Sequence, residues 1–355
     1  MRPGFLTHPA NRWRSRLREL SDRWTTTRST WKVEREIERV LTSRGRVLVG
    51  PWCSEVGYEL LYWIPFVRWA LRAYRVPPSR VVVMSRGGVD DWYTGLADTY
   101  VDAFDHAAPG ELAANGTKQR SVTALDARLI ETVRGHAGEC EVLHPSLMFR
   151  LFAPFWSSQR SLGFLESRTR HAVLTLPRRD LPVALPDRYI AVKLYAARAL
   201  PDRPEIRAHL RALLAALSET LPVVQLDTGV AFDEHEDYAF AHDRRVLSLR
   251  GVMRPRTNLG LQTQVIAGAD LFVGTCGSVA WLAPLVGVDA VPLFADAGFL
   301  HAHLHVARRA YHRLEGAGSF APLDLSGILR AGLSVGAPST LSDLPVSHGT
   351  SPCDL

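Results

Sequence analysis

Residues 269–294 read Ala-Asp-Leu-Phe-Val-Gly-Thr-Cys-Gly-Ser-Val-Ala-Trp-Leu-Ala-Pro-Leu-Val-Gly-Val-Asp-Ala-Val-Pro-Leu-Phe. An apolar run through Phe272 and Val273 ends at Gly274. A small polar turn follows at Thr275-Cys276-Gly277-Ser278, and an apolar helix-length segment then leads to a second strand ending at Leu293-Phe294. That order is how a βαβ unit of a parallel sheet reads. Open α/β sheets bind ligands beyond the carboxyl ends of their strands. A helix opening near Gly277 and Ser278 presents free N–H groups and a positive dipole end at that spot. An anion, above all a phosphate, is the expected guest.

Outward from this unit, strands are expected at Tyr189–Tyr195, Val223–Asp227 and Arg245–Leu249. Helices are expected at Glu205–Thr220, at Leu259–Gly268 capped by Asn258, and at Leu300–Leu314. The N-terminal half follows the same alternation. A strand at Arg46–Gly50 precedes a helix from Tyr58 to Tyr74 kinked at Pro65; a strand at Arg80–Met84 follows, then elements at Ala124–Arg134 and Cys140–Leu143. The polar, proline-bearing segment from Ser157 to Pro186 reads as a crossover. Strands alternating with helices mean parallel sheets. The expected class is therefore α/β, with two Rossmann-like doubly wound domains facing each other across a cleft and a helical arm in front. The expected bounds are a basic helical arm over 1–44, α/β domains over 45–165 and 166–335, and a Ser-, Pro- and Gly-rich tail over 336–355.

At 355 residues, with 46% hydrophobic and 22% charged, the chain has the composition of a globular protein with two full cores. Its longest uninterrupted apolar runs, such as Leu60 to Val67, are far short of a membrane span. The N-terminus has charge but no apolar export region, so a cytoplasmic protein is expected. The four cysteines, Cys53, Cys140, Cys276 and Cys353, show neither CxxC pairing nor metal-ligand spacing, and reduced thiols are expected. The net charge of +6 is local: residues 1–46 hold twelve Lys/Arg against five Asp/Glu, and the remaining chain nets −1. Trp13, Leu17, Leu20 and Trp24 recur at helical spacing among arginines. Residues 11–24 thus read as a basic amphipathic helix, packed on the body or resting on an anionic membrane at its inner face. No nucleic-acid partner is expected, since the basic character lies outside the α/β body.

The 269–294 stretch also resembles the donor-binding segment of GT-B-fold glycosyltransferases, the heptosyltransferases in particular. In the turn that family shows an Asn-Asp-Ser-Gly type sequence where this chain has Thr275-Cys276-Gly277-Ser278, so the donor sugar is not carried over. Three further segments, Gly50 to Trp63, Ser85 to Gly88 and Asn258 to Gln264, are similar to a bacterial family of glycosyltransferase-like proteins. The resemblance implies a GT-B-like fold with the acceptor on the 45–165 side and the nucleotide sugar on the 166–335 side. It implies transfer of a sugar from a nucleotide-diphosphate donor to a hydroxyl of a glycan or small-molecule acceptor, metal-independent and inverting. The nucleotide sugar is then a co-substrate and no resident cofactor is expected. A sugar-nucleotide epimerase on the same fold, and a non-catalytic sugar-nucleotide-binding or scaffold protein, are the alternatives.

Such transfer needs a base for the acceptor proton, positive charge on the departing diphosphate and a pocket for base and ribose. Glu55 is the carboxylate of the Gly50–Gly57 loop and the candidate base, with Glu59 one helical turn later. Trp52 offers a flat face for a sugar, and Arg86 lies in a polar glycine turn. Lys193 and Arg198 are candidate cations for the diphosphate, Asp227 for the ribose, and Gln262, Gly274, Thr275, Gly277 and Ser278 complete the nucleotide side. No metal is assigned. Asp90-Asp91 reads as a helix start rather than a metal motif, and Asp233–Asp237 as a solvated turn. The stretch Phe149–Trp156 is expected to be interdomain packing. With no P-loop, GxGxxG or nucleophile elbow in the sequence, kinase, dehydrogenase and hydrolase readings lose ground.

Overall fold

Continuous β-branched runs such as Val47-Leu48-Val49 and Val81-Val82-Val83 are suited to strands buried on both faces, as parallel sheets require. The computed structural model describes residues 9–114, 118–229, 236–238, 240 and 245–330, with side chains from residue 26 onward. In its first half β1 (Arg46–Val49), β2 (Val81–Ser85), β3 (Thr99–Asp102) and β4 (Cys140–Leu143) form a parallel sheet in the order β3-β2-β1-β4.

The second half contains β5 (Ile190–Lys193), β6 (Tyr195–Ala196), β7 (Val223–Gln225) and β8 (Glu236–Asp237), then β9 (Val246–Ser248), β10 (Leu271–Thr275), β11 (Ala290–Phe294) and β12 (Leu323–Asp324). Six of these form a parallel sheet ordered β12-β11-β10-β5-β7-β9, while β6 and β8 pair antiparallel beside it. That is the strand order of dinucleotide-binding folds, and the first sheet has the same order with fewer strands. The order reverses between β1 and β4 in one sheet and between β5 and β10 in the other. Ligands of such sheets bind outside the strand ends at these reversals.

The helix expected over residues 11–24 is part of a longer one that runs from Pro9 to Thr42. Val33, Ile37, Val40 and Leu41, spaced to share one face, are buried. The side chains of residues 11–24 lie outside the described ones. The break expected at Pro65 takes a specific form. Proline has no N–H to give the preceding turn; the chain adopts a π turn over Glu59–Trp63, and His171 Nε2 donates to the Leu61 carbonyl at 3.0 Å. Because a carbonyl only accepts, this nitrogen carries the proton. Burial lowers the His171 pKa to about 4, so the imidazole is neutral.

One apolar core cluster includes residues of both halves. The segments that carry the family resemblance meet where the halves touch. A Cβ on Gly260 would sit 2.4 Å from the Gly88 carbonyl oxygen, and Gly260 N donates to the Gly87 carbonyl at 2.8 Å. Trp92 Nε1 donates to Thr263 Oγ1 at 3.0 Å, and Arg179 from the crossover pairs with both Asp90 and Asp91 at 2.7 Å. Asn258 is not the cap expected: it is the first residue of the helix, and its buried amide donates to the Pro255 carbonyl. Among the described residues, no helix is long and apolar enough to cross a membrane.

Candidate functional site

A cleft of about 740 Å3 lies between the two reversal points. Glu55, Gly57, Tyr58, Lys118 and Arg120 line it from the first half, and Arg198, Cys276, Gly277, Ser278 and His303 from the second.

The loop after β1 sets Glu55. Trp52 N donates to the Met84 carbonyl at 2.9 Å, and a Cβ on Gly50 would sit 2.4 Å from that same oxygen, so only glycine fits there. Glu55 occupies the N-cap of the Val56–Tyr58 turn, yet its carboxylate makes no capping hydrogen bond. Gln119 then ties a second loop to the first. Its Oε1 accepts from Cys53 N at 2.8 Å, and its Nε2 donates to the Pro51 carbonyl and to Asp126, each at 2.9 Å. Because Gln119 is buried, its neighbours Lys118 and Arg120 are left on the cleft side. Burial raises Asp126, but His144, whose Nε2 lies 3.3 Å away, and the hydrogen bond from Thr123 N outweigh it and hold the carboxyl below its ordinary range.

On the opposite side Thr275 Oγ1 accepts from Tyr195 N at 3.0 Å and donates to the Tyr195 carbonyl at 2.9 Å, joining the start of β6 to the end of β10. The turn beyond has positive φ at Gly277 (142°) and Ser278 (43°). An ideal Cβ on Gly57 would lie 3.2 Å from Ser278 N and 3.1 Å from Trp281 Nε1. A side chain at position 57 would therefore crowd the Ser278 amide, and glycine leaves that space open. Burial pushes the Cys276 thiol up to about 12, so it is no nucleophile near neutral pH.

Among the described lining residues, Lys118, Arg120 and Arg198 stand against one carboxylate, Glu55. Lys118 Nζ stands 5.2 Å from the Tyr58 ring centre, and the Arg198 guanidinium 5.0 Å from that of Phe299. Tyr62 Oη and His303 Nδ1 share a hydrogen bond of 2.6 Å between the halves. Burial, then Lys118, lowers the His303 pKa to about 4. The cleft is thus positive, aromatic-walled and of the size of a small-ligand site.

No family model and no curated protein matches the chain. Among solved structures it is similar to the iron-containing dodecameric glycosyltransferase TibC of enterotoxigenic E. coli, at 12% identity and a TM-score of 0.40, over 70% of this chain and 58% of that one. It is also similar to the ADP-heptose heptosyltransferase II of E. coli, at 12% identity and a TM-score of 0.43, over 78% of this chain and 92% of that one. A family 9 glycosyltransferase from Veillonella parvula gives 11% identity and a TM-score of 0.45, over 82% and 88%. The chain thus spans little more than half the length of TibC.

Of the residues singled out in the sequence, the cleft brings together Glu55, Arg198, Gly277 and Ser278. The others are engaged elsewhere. Trp52 is fully buried, stacked between Trp63 and Phe149 at ring distances of 5.5 and 6.1 Å, so no sugar reaches it. Phe149, expected to be interdomain packing, is buried in the core cluster shared by the two halves, Trp156 packs against that cluster, and both also line the cleft. Glu59 and Arg86 form a buried pair at 3.4 Å, with Ser85 and Tyr93 also donating to Glu59 and Arg86 holding the Ser54 carbonyl. Burial raises Glu59 to about 7 against the pull of Arg86, but the carboxyl is closed off from the cleft.

Lys193 pairs with Asp237 at 2.6 Å, away from the cleft lining. Asp227 accepts from Ser248 Oγ at 2.7 Å and pairs with Arg250 at 3.3 Å. Gln262 is buried and donates to Asn258 Oδ1 at 3.1 Å. At Gly274 a Cβ would stand 2.6 Å from the Lys193 carbonyl oxygen, so its role is the close approach of β10 to β5. Thr275 is buried in the joint with Tyr195. Sequence reasoning missed Lys118 and Arg120; two cations flanking a glutamine in a polar loop were the available signal. Of the acidic 233–237 segment, residues 233–235 lie outside the described residues, and Asp237 is the partner of Lys193.

Proposed function

We propose that the protein transfers a sugar from a nucleotide-diphosphate donor to a hydroxyl acceptor, with inversion at the anomeric carbon. The observation that carries this reading is the cleft between the two strand reversals, with Glu55 on one side and Gly277, Ser278 and Arg198 on the other. In this reading the diphosphate lies against the Gly277-Ser278 turn and Arg198, with Lys118 and Arg120 adding positive charge from the other half. The acceptor oxygen forms a bond to the anomeric carbon. The bond from that carbon to the diphosphate oxygen breaks, its electron pair leaving with the diphosphate. The hydroxyl proton passes to Glu55. Aromatic side chains beside Glu55 suit the apolar faces of sugar rings. The arm over residues 11–24 is proposed to rest on an anionic membrane surface, on the strength of its arginines and tryptophans.

A thermal-shift screen across nucleotide sugars identifies the donor, because a ligand of the folded state raises the melting temperature. Release of nucleoside diphosphate is then followed with and without a panel of acceptors. Acceptor-dependent release supports transfer. Donor interconversion without acceptor identifies an epimerase, and binding without turnover identifies a binding protein.

A further inference from the structure

A second groove adjoins the cleft across a shared wall. Arg120, Phe149 and Trp156 line the cleft, and the same three residues line this groove of about 540 Å3. The far side of that groove is made by Thr26 and Ser29 of the N-terminal helix and by Ser157 and Gln159 of the turn after the Pro145–Trp156 helix. Bonds that hold the helix there include Thr26 Oγ1 donating to Gln159 Oε1 at 3.1 Å and Arg160 Nη2 donating to Thr27 Oγ1 at 2.8 Å.

Three features of the lining specify a ligand. Hydroxyl and amide groups along the rim match the hydroxyls of sugars. The indole of Trp156 at the junction gives a flat apolar face for a ring. Arg120 and Arg150 supply guanidinium forks suited to a carboxylate or phosphate, and among the described lining residues there is no acid. Arg150 pairs with Glu36 at 2.6 Å, but both side chains are more than two-fifths exposed. An exposed pair is worth little, so an incoming anion competes for it.

We propose that this groove holds the acceptor, a glycan bearing a carboxylate or phosphate. The glycan lies over the N-terminal helix and presents its reacting hydroxyl to the cleft at the Trp156 junction. The assignment of the occupant as acceptor rests on the reading of the cleft as a nucleotide-sugar site. The groove itself is testable without turnover.

The test is titration calorimetry on the full chain with three tetrasaccharide probes: tetragalacturonate, a mannotetraose ending in mannose 6-phosphate, and neutral maltotetraose. ADP and UDP are titrated in parallel. Ala153 is exposed and lines the groove but not the cleft, so Ala153→Phe fills one space and leaves the other. At least one anionic probe is expected to bind tenfold or more tightly than maltotetraose, and Ala153→Phe to weaken it at least tenfold with nucleotide affinity unchanged. Arg150→Gln, a milder change, is expected to narrow the preference for the anionic probe. Which anionic probe binds tells carboxylate from phosphate. Equal binding of neutral and anionic probes, binding of none, or full affinity in Ala153→Phe overturns the proposal. Saccharide binding as expected with no nucleotide binding keeps the groove and removes the nucleotide-sugar reading; the reverse removes the groove alone.

Discussion

Lys193 Nζ lies 2.6 Å from Asp237 Oδ1, with both side chains only 10% exposed. A lysine inside an apolar strand at the rim of a sheet invites a ligand-binding role, but this one is neutralised within its own half. Removing one partner of a buried pair leaves the other charge uncompensated, at about 3–5 kcal/mol. Lys193→Ala is therefore expected to lower unfolding stability by about 3 kcal/mol in urea titrations, while the folded fraction binds nucleoside diphosphate normally. Undiminished stability together with lost diphosphate affinity would return Lys193 to the site.

Of the two cations expected at the diphosphate, Lys193 and Arg198, it is Arg198 that lines the cleft. Hydrogen bonds to a charged group contribute about 1.5–3 kcal/mol. Arg198→Ala is expected to weaken nucleoside diphosphate binding by about 10- to 100-fold, and to leave nucleoside binding nearly unchanged. Calorimetry with both ligands checks this. Equal losses for the two would make Arg198 a packing residue against Phe299.

A general base contributes about 10² to 10⁴ in rate. Glu55→Gln keeps the size and hydrogen bonding of the side chain and removes its basicity, so kcat is expected to fall by about that factor with donor affinity held. Near-normal kcat at every pH would exclude Glu55 as the base, and a product of retained anomeric configuration would separately overturn direct displacement.

Acid sensitivity is expected from His171. Its folded pKa of about 4 is below the ordinary imidazole value of 6.5, so the unfolded chain binds the proton first. Its contribution to stability is fully present above pH 6.5 and is lost as pH falls through about 4. His303, also lowered to about 4, acts in the same sense. Glu59, raised to about 7, acts in the opposite one: its contribution is present below pH 4.5 and lost as pH rises through 7. His171→Gln keeps an N–H for the Leu61 carbonyl but does not titrate. Urea midpoints of this variant are expected to fall less than those of the wild type between pH 6.5 and 4; identical pH curves would contradict the assignment.

How far into the N-terminal helix a truncation reaches is expected to matter. Deleting residues 1–25 removes the arginine- and tryptophan-bearing arm and is expected to reduce binding to anionic vesicles in co-sedimentation, with tetrasaccharide binding intact. Deleting residues 1–30 also removes Thr26 and Ser29 from the groove and is expected to reduce both. Equal vesicle sedimentation by the intact and 1–25-deleted chains would eliminate membrane contact by the arm.

The sheets were legible because strands buried on both faces leave unbroken apolar runs, as at Val81–Met84 and Leu271–Val273. The Gly277-Ser278 turn was legible because a small-residue turn after such a strand has few other uses. β3 and β12 were missed: Thr99–Asp102 is an edge strand with half-exposed side chains, and β12 is two exposed residues long. The site residues that moved did so through partners distant in sequence. Lys193 is claimed by a residue 44 positions away. Trp52 is covered by Phe149, and Glu59 is locked by Arg86 and Tyr93. Lys118 and Arg120 owe their position to Gln119 reaching back across 66 residues to Cys53. Local pattern carries none of that.

The two glycine contacts between the halves, Gly57 over Ser278 and Gly260 against Gly88, have a mechanical consequence. Each is a close approach of a glycine to the facing main chain, Gly57 also meeting the Trp281 indole, so there is no room at either point for a side chain. A methyl group at either position would act as a wedge, prising the two halves apart at that point.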